Sequence, residues 1–174
     1  MTLSLQSSDF DIFGLTPLFA IDRAALDARW KDLQREAHPD RFATALAAAQ
    51  REAMQWSVRI NEAYQRLKDP LKRAAYLCEL NGAPIRAEDN TAMPPAFLMQ
   101  QMQWREDLDD AKTLADLERM AGEVAVARRE MVEALQQTAD VQRDFAALAQ
   151  QVRSLMFVER FASDVEARLD QLGQ

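Results

Sequence analysis

The 174-residue sequence contains one cysteine, one histidine and only four glycines. Because Cys78 has no second cysteine to pair with, the sequence excludes an internal disulfide and a metal site built from cysteines. No apolar run approaches the roughly 18–20 residues that a membrane-spanning helix needs. The first residues lack the basic flank and the long apolar segment of a signal peptide. We therefore expect a cytoplasmic protein.

Positive charge is scarce in the second half of the chain. Residues 1–81 carry eleven acidic and eleven basic side chains, so the net charge of −7 arises entirely from the residues that follow. Contact with nucleic-acid phosphates needs a concentrated positive face, and we expect no nucleic-acid partner. Alanine, leucine, glutamine, glutamate and arginine dominate the composition, which is typical of helices. The sequence therefore predicts an all-α fold.

An irregular segment separates two helical parts. Residues 81–94 contain Gly82, Pro84 and Pro94 and show no helical periodicity, as expected of a linker. We predict an N-terminal domain over residues 1–80, this linker, and a C-terminal domain over residues 95–174.

The N-terminal part predicts four helices that begin and end at recognisable cap and breaker residues. They are a short apolar segment at Asp9–Phe13, a helix capped by Asp22 that runs to about Ala37, a third helix from near Leu46 to Leu67, and a fourth from Pro70 to about Leu80. Apolar residues recur at helical spacing on the two long helices, namely Leu26, Trp30, Leu33 and Ala37 on one and Ala53, Trp56, Ile60, Tyr64 and Leu67 on the other. These stripes predict an antiparallel helical hairpin.

The only histidine lies at the tip of this hairpin, in the sequence His38-Pro39-Asp40. Pro39 cannot continue a helix, and it disfavours helical geometry at the residue before it. An imidazole and a carboxylate should therefore share an exposed turn, which suits docking onto a partner better than packing in a core. Two alternatives stay open: an ordinary surface histidine, and an Asp40 that only caps the next segment.

These residues resemble a J-domain, the module through which co-chaperones stimulate the ATPase of DnaK-type chaperones. The resemblance rests on His38–Arg41, Ile60–Tyr64 and Leu67–Tyr76, and it covers about Asp9–Leu80. It implies a chaperone-binding surface made of the tip and the basic face of the second helix, namely Lys31, Arg35, His38, Pro39, Asp40 and Arg41. The basic side chains would also suit an ordinary solvated face, and this alternative stays open.

The C-terminal part predicts a three-helix bundle, with helices near Pro94–Ala111, Thr113–Gln137 and Asp140–Leu172. The first helix has two apolar faces. One face, made of Phe97, Trp104, Leu108 and Ala111, should pack on the other helices. The second face, made of Leu98, Met99 and Met102, lies beside Glu106, Asp109 and Asp110. The predicted core seam of the last helix consists of Val141, Phe145, Leu148, Val152 and Leu155, and Phe157 falls off that seam.

On the first helix, the second face is an apolar patch rimmed by carboxylates, which suits partner binding, although a wide core stripe is the alternative.

The segments Pro95–Met102 and Trp104–Asp110 resemble the C-terminal domain of the HscB family of J-proteins. This resemblance implies a bacterial co-chaperone that brings the iron–sulfur scaffold protein IscU to the chaperone HscA. It assigns scaffold binding to Leu98, Met99, Met102, Gln103, Glu106, Asp110 and Phe157. Gln103 stands where related sequences often carry an acid, which would weaken the electrostatic part of scaffold binding.

The sequence offers little for catalysis or for metal binding. His38 is the only imidazole, and there is neither a glycine-rich phosphate loop nor an HExxH motif. Asp107, Asp109 and Asp110 lie along one helix without converging ligands, so a solvated face is expected instead of a metal site. We expect no enzymatic activity, no cofactor and no bound metal. Two alternative functions stay open: a J-domain adaptor for another client, and a helical interaction module that does not stimulate an ATPase.

Overall fold

The computed structural model of the chain describes residues 2–86 and 93–173, and all regular elements in these ranges are helical. They are α1 (Asp9–Phe13), α2 (Arg23–Ala37), a 3-10 turn (Pro39–Phe42), α3 (Ala47–Lys68), α4 (Pro70–Leu80), α5 (Pro95–Asp110), α6 (Leu114–Gln136), a π-helical turn (Gln137–Gln142) and α7 (Phe145–Leu172). Two compact units divide within α4, between Tyr76 and Leu77. The predicted all-α class is confirmed. Among the described residues, none of the helices has both the length and the apolarity that crossing a membrane requires.

Capping side chains set the ends of the first helices in the N-terminal unit. Ser8 accepts a hydrogen bond from the backbone N–H of Asp11 at the start of α1, and Asp22 accepts one from Ala25 at the start of α2. Such bonds satisfy backbone donors that have no partner inside the helix. Gly14 ends α1 with a φ of 65°, in the left-handed region that glycine adopts at little cost.

The helices α2 and α3 form the predicted antiparallel hairpin. The Tyr64 hydroxyl donates a hydrogen bond to Asp27 at 2.7 Å, and the Gln34 amide donates to the carbonyl oxygen of Ser57 at 3.3 Å. Residue numbers rise along α2 as they fall along α3, so the two helices run in opposite directions. The Trp30 ring stacks on Tyr64 with centroids 4.6 Å apart. Most of the predicted stripes are buried here, namely Leu26, Leu33, Ala53, Ile60, Tyr64 and Leu67.

In the C-terminal unit, α7 packs against both other helices. It pairs with α6, and it runs parallel to α5. The Trp104 ring stacks on Phe161, and Arg168 donates a hydrogen bond to the carbonyl oxygen of Ala111. Both contacts join residues 57 positions apart, so α5 and α7 advance together. This parallel register determines which side chains lie level with one another on the two helices.

The predicted start of the last helix at Asp140 is wrong. The chain continues from α6 into a π-helical turn over Gln137–Gln142, and Arg143 then takes a left-handed φ of 52°. Asp144 caps α7 by accepting a hydrogen bond from the N–H of Ala147 at 3.0 Å, and the helix begins at Phe145. Asp140 and Asp144 are the same residue type, so residue type alone does not decide which of them caps the helix.

The core seam predicted for α7 is correct except at its first residue. Leu148, Val152 and Leu155 are fully buried, and Phe145 is half-buried. Val141 is 67% exposed because it lies in the π-helical turn before the helix begins.

Part of the predicted linker packs into the C-terminal unit. Ile85 is buried, and its carbonyl oxygen accepts a hydrogen bond from Arg153 of α7 at 3.0 Å. Residues 87–92 of the linker lie outside the described ranges. The domain limits at residues 80 and 95 stay a prediction.

Cys78 is fully buried in the C-terminal unit. Burial raises the pKa of its thiol to about 11. At neutral pH it therefore holds roughly a hundredfold less of the reactive thiolate than an exposed thiol does. We expect the folded chain to react with a disulfide reagent such as dithionitrobenzoate at least about a hundredfold more slowly than the chain in denaturant. Equal rates in the two conditions would contradict this burial.

Candidate functional site

The His38-Pro39-Asp40 sequence forms an exposed turn where α2 ends. His38 has φ −61° and ψ 130°, the extended geometry that a following proline favours, and it closes the helix. Pro39 then opens the 3-10 turn. The side chain of Asp40 is 93% exposed and that of His38 is 54% exposed. The structure therefore places the imidazole and the carboxylate within reach of a partner, as predicted.

A hydrogen bond within the turn fixes the orientation of the His38 imidazole. Its Nδ1 accepts a hydrogen bond from the backbone N–H of Asp40 at 3.2 Å. In the neutral ring Nδ1 then carries no proton, and Nε2–H remains as a donor that points away from this bond. The Asp40 carboxylate lies 3.6 Å from Nδ1, beyond ordinary hydrogen-bond distance. The hydrogen bond from the Asp40 N–H therefore fixes the orientation of the imidazole relative to the turn.

The basic residues predicted beside the tip make only weak interactions with the chain. Arg35 lies 3.6 Å from Asp32 in an exposed ion pair, and Arg41 donates a hydrogen bond to the carbonyl oxygen of Glu36 at 3.2 Å. Lys31 is exposed. Exposed ion pairs contribute roughly 0–1 kcal/mol, so a partner carboxylate can replace them at little cost.

Sequence reasoning missed an apolar groove between α2 and α3 next to the tip. Its volume is about 400 Å³, and its lining includes Leu33, Ala37, Phe42 and Trp56. Phe42 belongs to the same 3-10 turn as Asp40, so the groove opens beside the tip. The available signal was that Leu33, Ala37 and Trp56, which the sequence had placed in the core stripes, also line the groove.

The second candidate surface lies on α5. Leu98, Met99 and Met102 are 46%, 71% and 66% exposed, whereas Trp104 and Leu108 are buried. The prediction that α5 has one apolar face in the core and one facing solvent is confirmed. We call Leu98, Met99 and Met102 the α5 patch.

The parallel register of α5 and α7 places Phe157 level with this patch. Arg105 of α5 makes an ion pair with Asp164 of α7 at 2.7 Å. Leu98 comes seven residues before Arg105, and Phe157 comes seven residues before Asp164. Seven residues are two turns, so Leu98 and Phe157 lie about 10 Å further along on the same sides of their helices. Phe157 is 37% exposed, so its ring is accessible to solvent on this side of α7.

Polar residues of α5 follow the patch toward the C-terminal end of the helix. Glu106 and Asp110 are exposed. The Gln103 amide donates a hydrogen bond to Asp107 at 2.9 Å, so this side chain is already engaged. Within residues 2–86 and 93–173, histidine, cysteine and carboxylate side chains nowhere gather in threes that could hold a metal ion.

Comparisons with known proteins identify the chain. Residues 93–166 match the family model described as the HSCB C-terminal oligomerisation domain. The co-chaperone protein HscB homolog of Burkholderia multivorans is 50% identical over 173 residues, which cover 98% of each chain. The homolog of Bordetella petrii is 51% identical over 159 residues, 91% of this chain and 94% of its own. The fold and the exposed tip are those of a J-domain co-chaperone. Within this class, the chain belongs to the HscB family.

Solved structures agree with this assignment. The chaperone HscB from Vibrio cholerae is 36% identical and superposes with a TM-score of 0.81, over 95% of this chain and 99% of its own. The human co-chaperone protein HscB superposes with a TM-score of 0.87 at 23% identity, over 97% of this chain and 85% of its own, and it supports the fold alone. The family resemblance inferred from the sequence is confirmed.

Proposed function

We propose that the chain stimulates the ATPase of a DnaK-type chaperone, HscA, and delivers to it the iron–sulfur scaffold protein IscU. The observation that carries this proposal is the exposed His38-Pro39-Asp40 turn at the end of α2. The protein would act as a co-chaperone in the cytoplasm and would have no enzymatic activity of its own. Its partners would meet it at two surfaces, the tip of the N-terminal unit and the α5 patch.

The tip has the chemistry to grip an ATPase domain. Asp40 is almost fully exposed, so its carboxylate can take a bidentate bond from an arginine of the chaperone, which is strong and directional. Lys31, Arg35 and Arg41 would steer the encounter with an acidic surface more than they add affinity. Stimulation requires that these contacts favour one state of the ATPase over another.

The α5 patch has the chemistry to hold a scaffold protein. Its apolar side chains form the centre of a surface whose rim carries Glu106 and Asp110, the arrangement of a protein interface. Phe157 extends the apolar centre onto α7. Binding both partners in one molecule raises the local concentration of scaffold at the ATPase.

The test of this function is an ATPase assay with purified HscA. We expect no ATP hydrolysis by the chain alone, faster hydrolysis by HscA when the chain is added, and a further increase when IscU is present. An HscA rate that the chain leaves unchanged, with and without IscU, would overturn the proposal. Stimulation by the chain that IscU does not alter would leave the adaptor role for another client.

The triple change Leu98→Ala, Met99→Ala, Met102→Ala is expected to weaken IscU binding at least about tenfold, since truncated central apolar anchors commonly cost more than 1 kcal/mol each. The measurement is titration calorimetry of IscU into each variant. Leu114 and Val126 of α6 are exposed apolar residues outside the patch, and the variant Leu114→Ala, Val126→Ala is the matched control, expected to bind like the wild type. If the triple variant binds undiminished, the patch is not the scaffold site.

A further inference from the structure

Two of the three residues of the α5 patch are methionines whose thioether side chains are exposed to solvent. Met99 and Met102 are the most exposed methionines in the part of the chain that the structure describes. Met120 of the same unit is buried, and Met131 is half-buried. An oxidant in solution would therefore reach the patch first, since access limits the oxidation of methionine.

We propose that Met99 and Met102 form a reversible oxidation site at which a peroxide switches off scaffold binding. This inference rests on the proposed function, because it concerns regulation of the same surface. The ligand class is a two-electron oxidant that transfers one oxygen atom, of which hydrogen peroxide is the simplest.

The reaction balances for each residue. The Sδ lone pair attacks one oxygen of hydrogen peroxide, an S–O bond forms and the O–O bond breaks. The departing hydroxide takes the proton of the oxygen now bonded to sulfur and leaves as water. Sulfur loses two electrons and the peroxide gains them. In the reverse direction a dithiol-dependent methionine sulfoxide reductase removes the oxygen as water and oxidises its dithiol to a disulfide.

Oxidation changes the patch from apolar to polar. Each sulfoxide adds a strong hydrogen-bond acceptor to a surface that must be desolvated when a partner covers it. The neighbours one turn away offer little compensation. Glu106 follows Met102 by four residues and presents acceptors only. Gln103 follows Met99 by four residues, and its amide already donates to Asp107.

The only thiol of the chain does not compete for the oxidant. Cys78 is fully buried, and its raised pKa leaves almost no thiolate at neutral pH. Hydrogen peroxide reacts with the thiolate and not with the thiol. An effect of peroxide on binding can therefore be assigned to methionine and checked by the unchanged mass of the peptide that contains Cys78.

The test uses the full chain treated with hydrogen peroxide, desalted, and then mixed with untreated IscU, so that the scaffold never meets the oxidant. Peptide mass spectrometry follows each methionine, and titration calorimetry follows binding. We expect Met99 and Met102 to gain one oxygen each before Met120 does, with a fall in affinity of at least tenfold, which corresponds to about 1.4 kcal/mol. Methionine sulfoxide reductase with dithiothreitol should restore the affinity.

The matched variants separate the patch from the rest of the chain. Met99→Leu, Met102→Leu removes both thioethers and keeps apolar side chains of similar volume, so its affinity for IscU, whatever its value before treatment, should not change on exposure to peroxide. Met54→Leu removes an exposed methionine of α3 and should remain as sensitive as the wild type. If fully oxidised wild type binds as well as untreated chain, or if the leucine variant loses as much affinity, the oxidation site is refuted while the proposed function stands. If the untreated chain does not bind IscU, both fail.

Discussion

Replacement of His38 by glutamine is expected to abolish the stimulation of HscA while leaving the fold intact. The imidazole has one nitrogen committed to the backbone of Asp40 and one left to face a partner. Its rigid ring keeps this second donor in place, whereas glutamine has one more rotatable bond and no fixed orientation. We expect the rate of ATP hydrolysis in the presence of the variant to equal that of HscA alone. The measurement is made at a concentration at which the wild type stimulates HscA maximally.

The control for this prediction is an exposed residue on the same hairpin. Gln65 lies on α3 and is exposed, and Gln65→Ala should stimulate HscA like the wild type. Both variants should melt at the wild-type temperature, because neither side chain is buried. Full stimulation by His38→Gln would show that the tip does not grip the ATPase, even if the chain still binds the scaffold.

The features near the tip could be predicted because local chemistry determines them. Pro39 restricts its own backbone and that of His38, and this restriction ends α2 at Ala37 whatever the rest of the chain does. Asp22 and Pro70 mark the starts of α2 and α4 in the same local way. The structure has these helices where the sequence predicted them, to within a residue or two.

Features that depend on tertiary packing were harder to predict. The last helix was predicted to begin near Asp140, but a π-helical turn that no local pattern predicts moves its start to Phe145, after the cap Asp144. The α5 patch was predicted from periodicity, but that Phe157 lies level with it along α7 follows only from the parallel register of α5 and α7. Gln103 was assigned to scaffold binding, and its bond to Asp107 is visible only in the structure.

One buried carboxylate gave no signal in the sequence at all. Asp9 looks like an ordinary acidic residue in the first turn of α1, yet it is fully buried. Its two oxygens lie 2.7 Å from Arg59 and 2.8 Å from Arg66, both on α3. Its backbone N–H donates to the Tyr76 hydroxyl at 2.9 Å. Partners fifty or more residues away along the chain cannot be found from local spacing.

Asp9→Asn is therefore expected to destabilise the N-terminal unit by about 3 kcal/mol. Removing one member of a buried ion pair leaves the other charge without compensation, which costs roughly 3–5 kcal/mol. The lower end applies here because Arg66 is about a third exposed and keeps some water. Arg59 is more buried than Arg66, and its side chain also donates hydrogen bonds to the carbonyl oxygens of Leu5 and Ser7. When Asp9 no longer neutralises Arg59, we expect these hydrogen bonds, and with them the N-terminal segment, to loosen as well.

Amide hydrogen exchange in the full chain can isolate this effect, since the two units need not unfold together. Protection of α3 amides should fall by about two orders of magnitude in Asp9→Asn, while α6 amides exchange as in the wild type.

Asp11→Asn changes an exposed carboxylate of the same helix and should alter α3 protection by less than about 0.5 kcal/mol. If Asp9→Asn costs no more than Asp11→Asn, the two arginines must be compensated elsewhere, and the buried carboxylate does not hold α1 onto the hairpin. If the predicted loss is found, the hairpin that presents His38 depends on an ion-pair cluster at its far end, and ATPase stimulation should fail at a lower temperature in this variant than in the wild type.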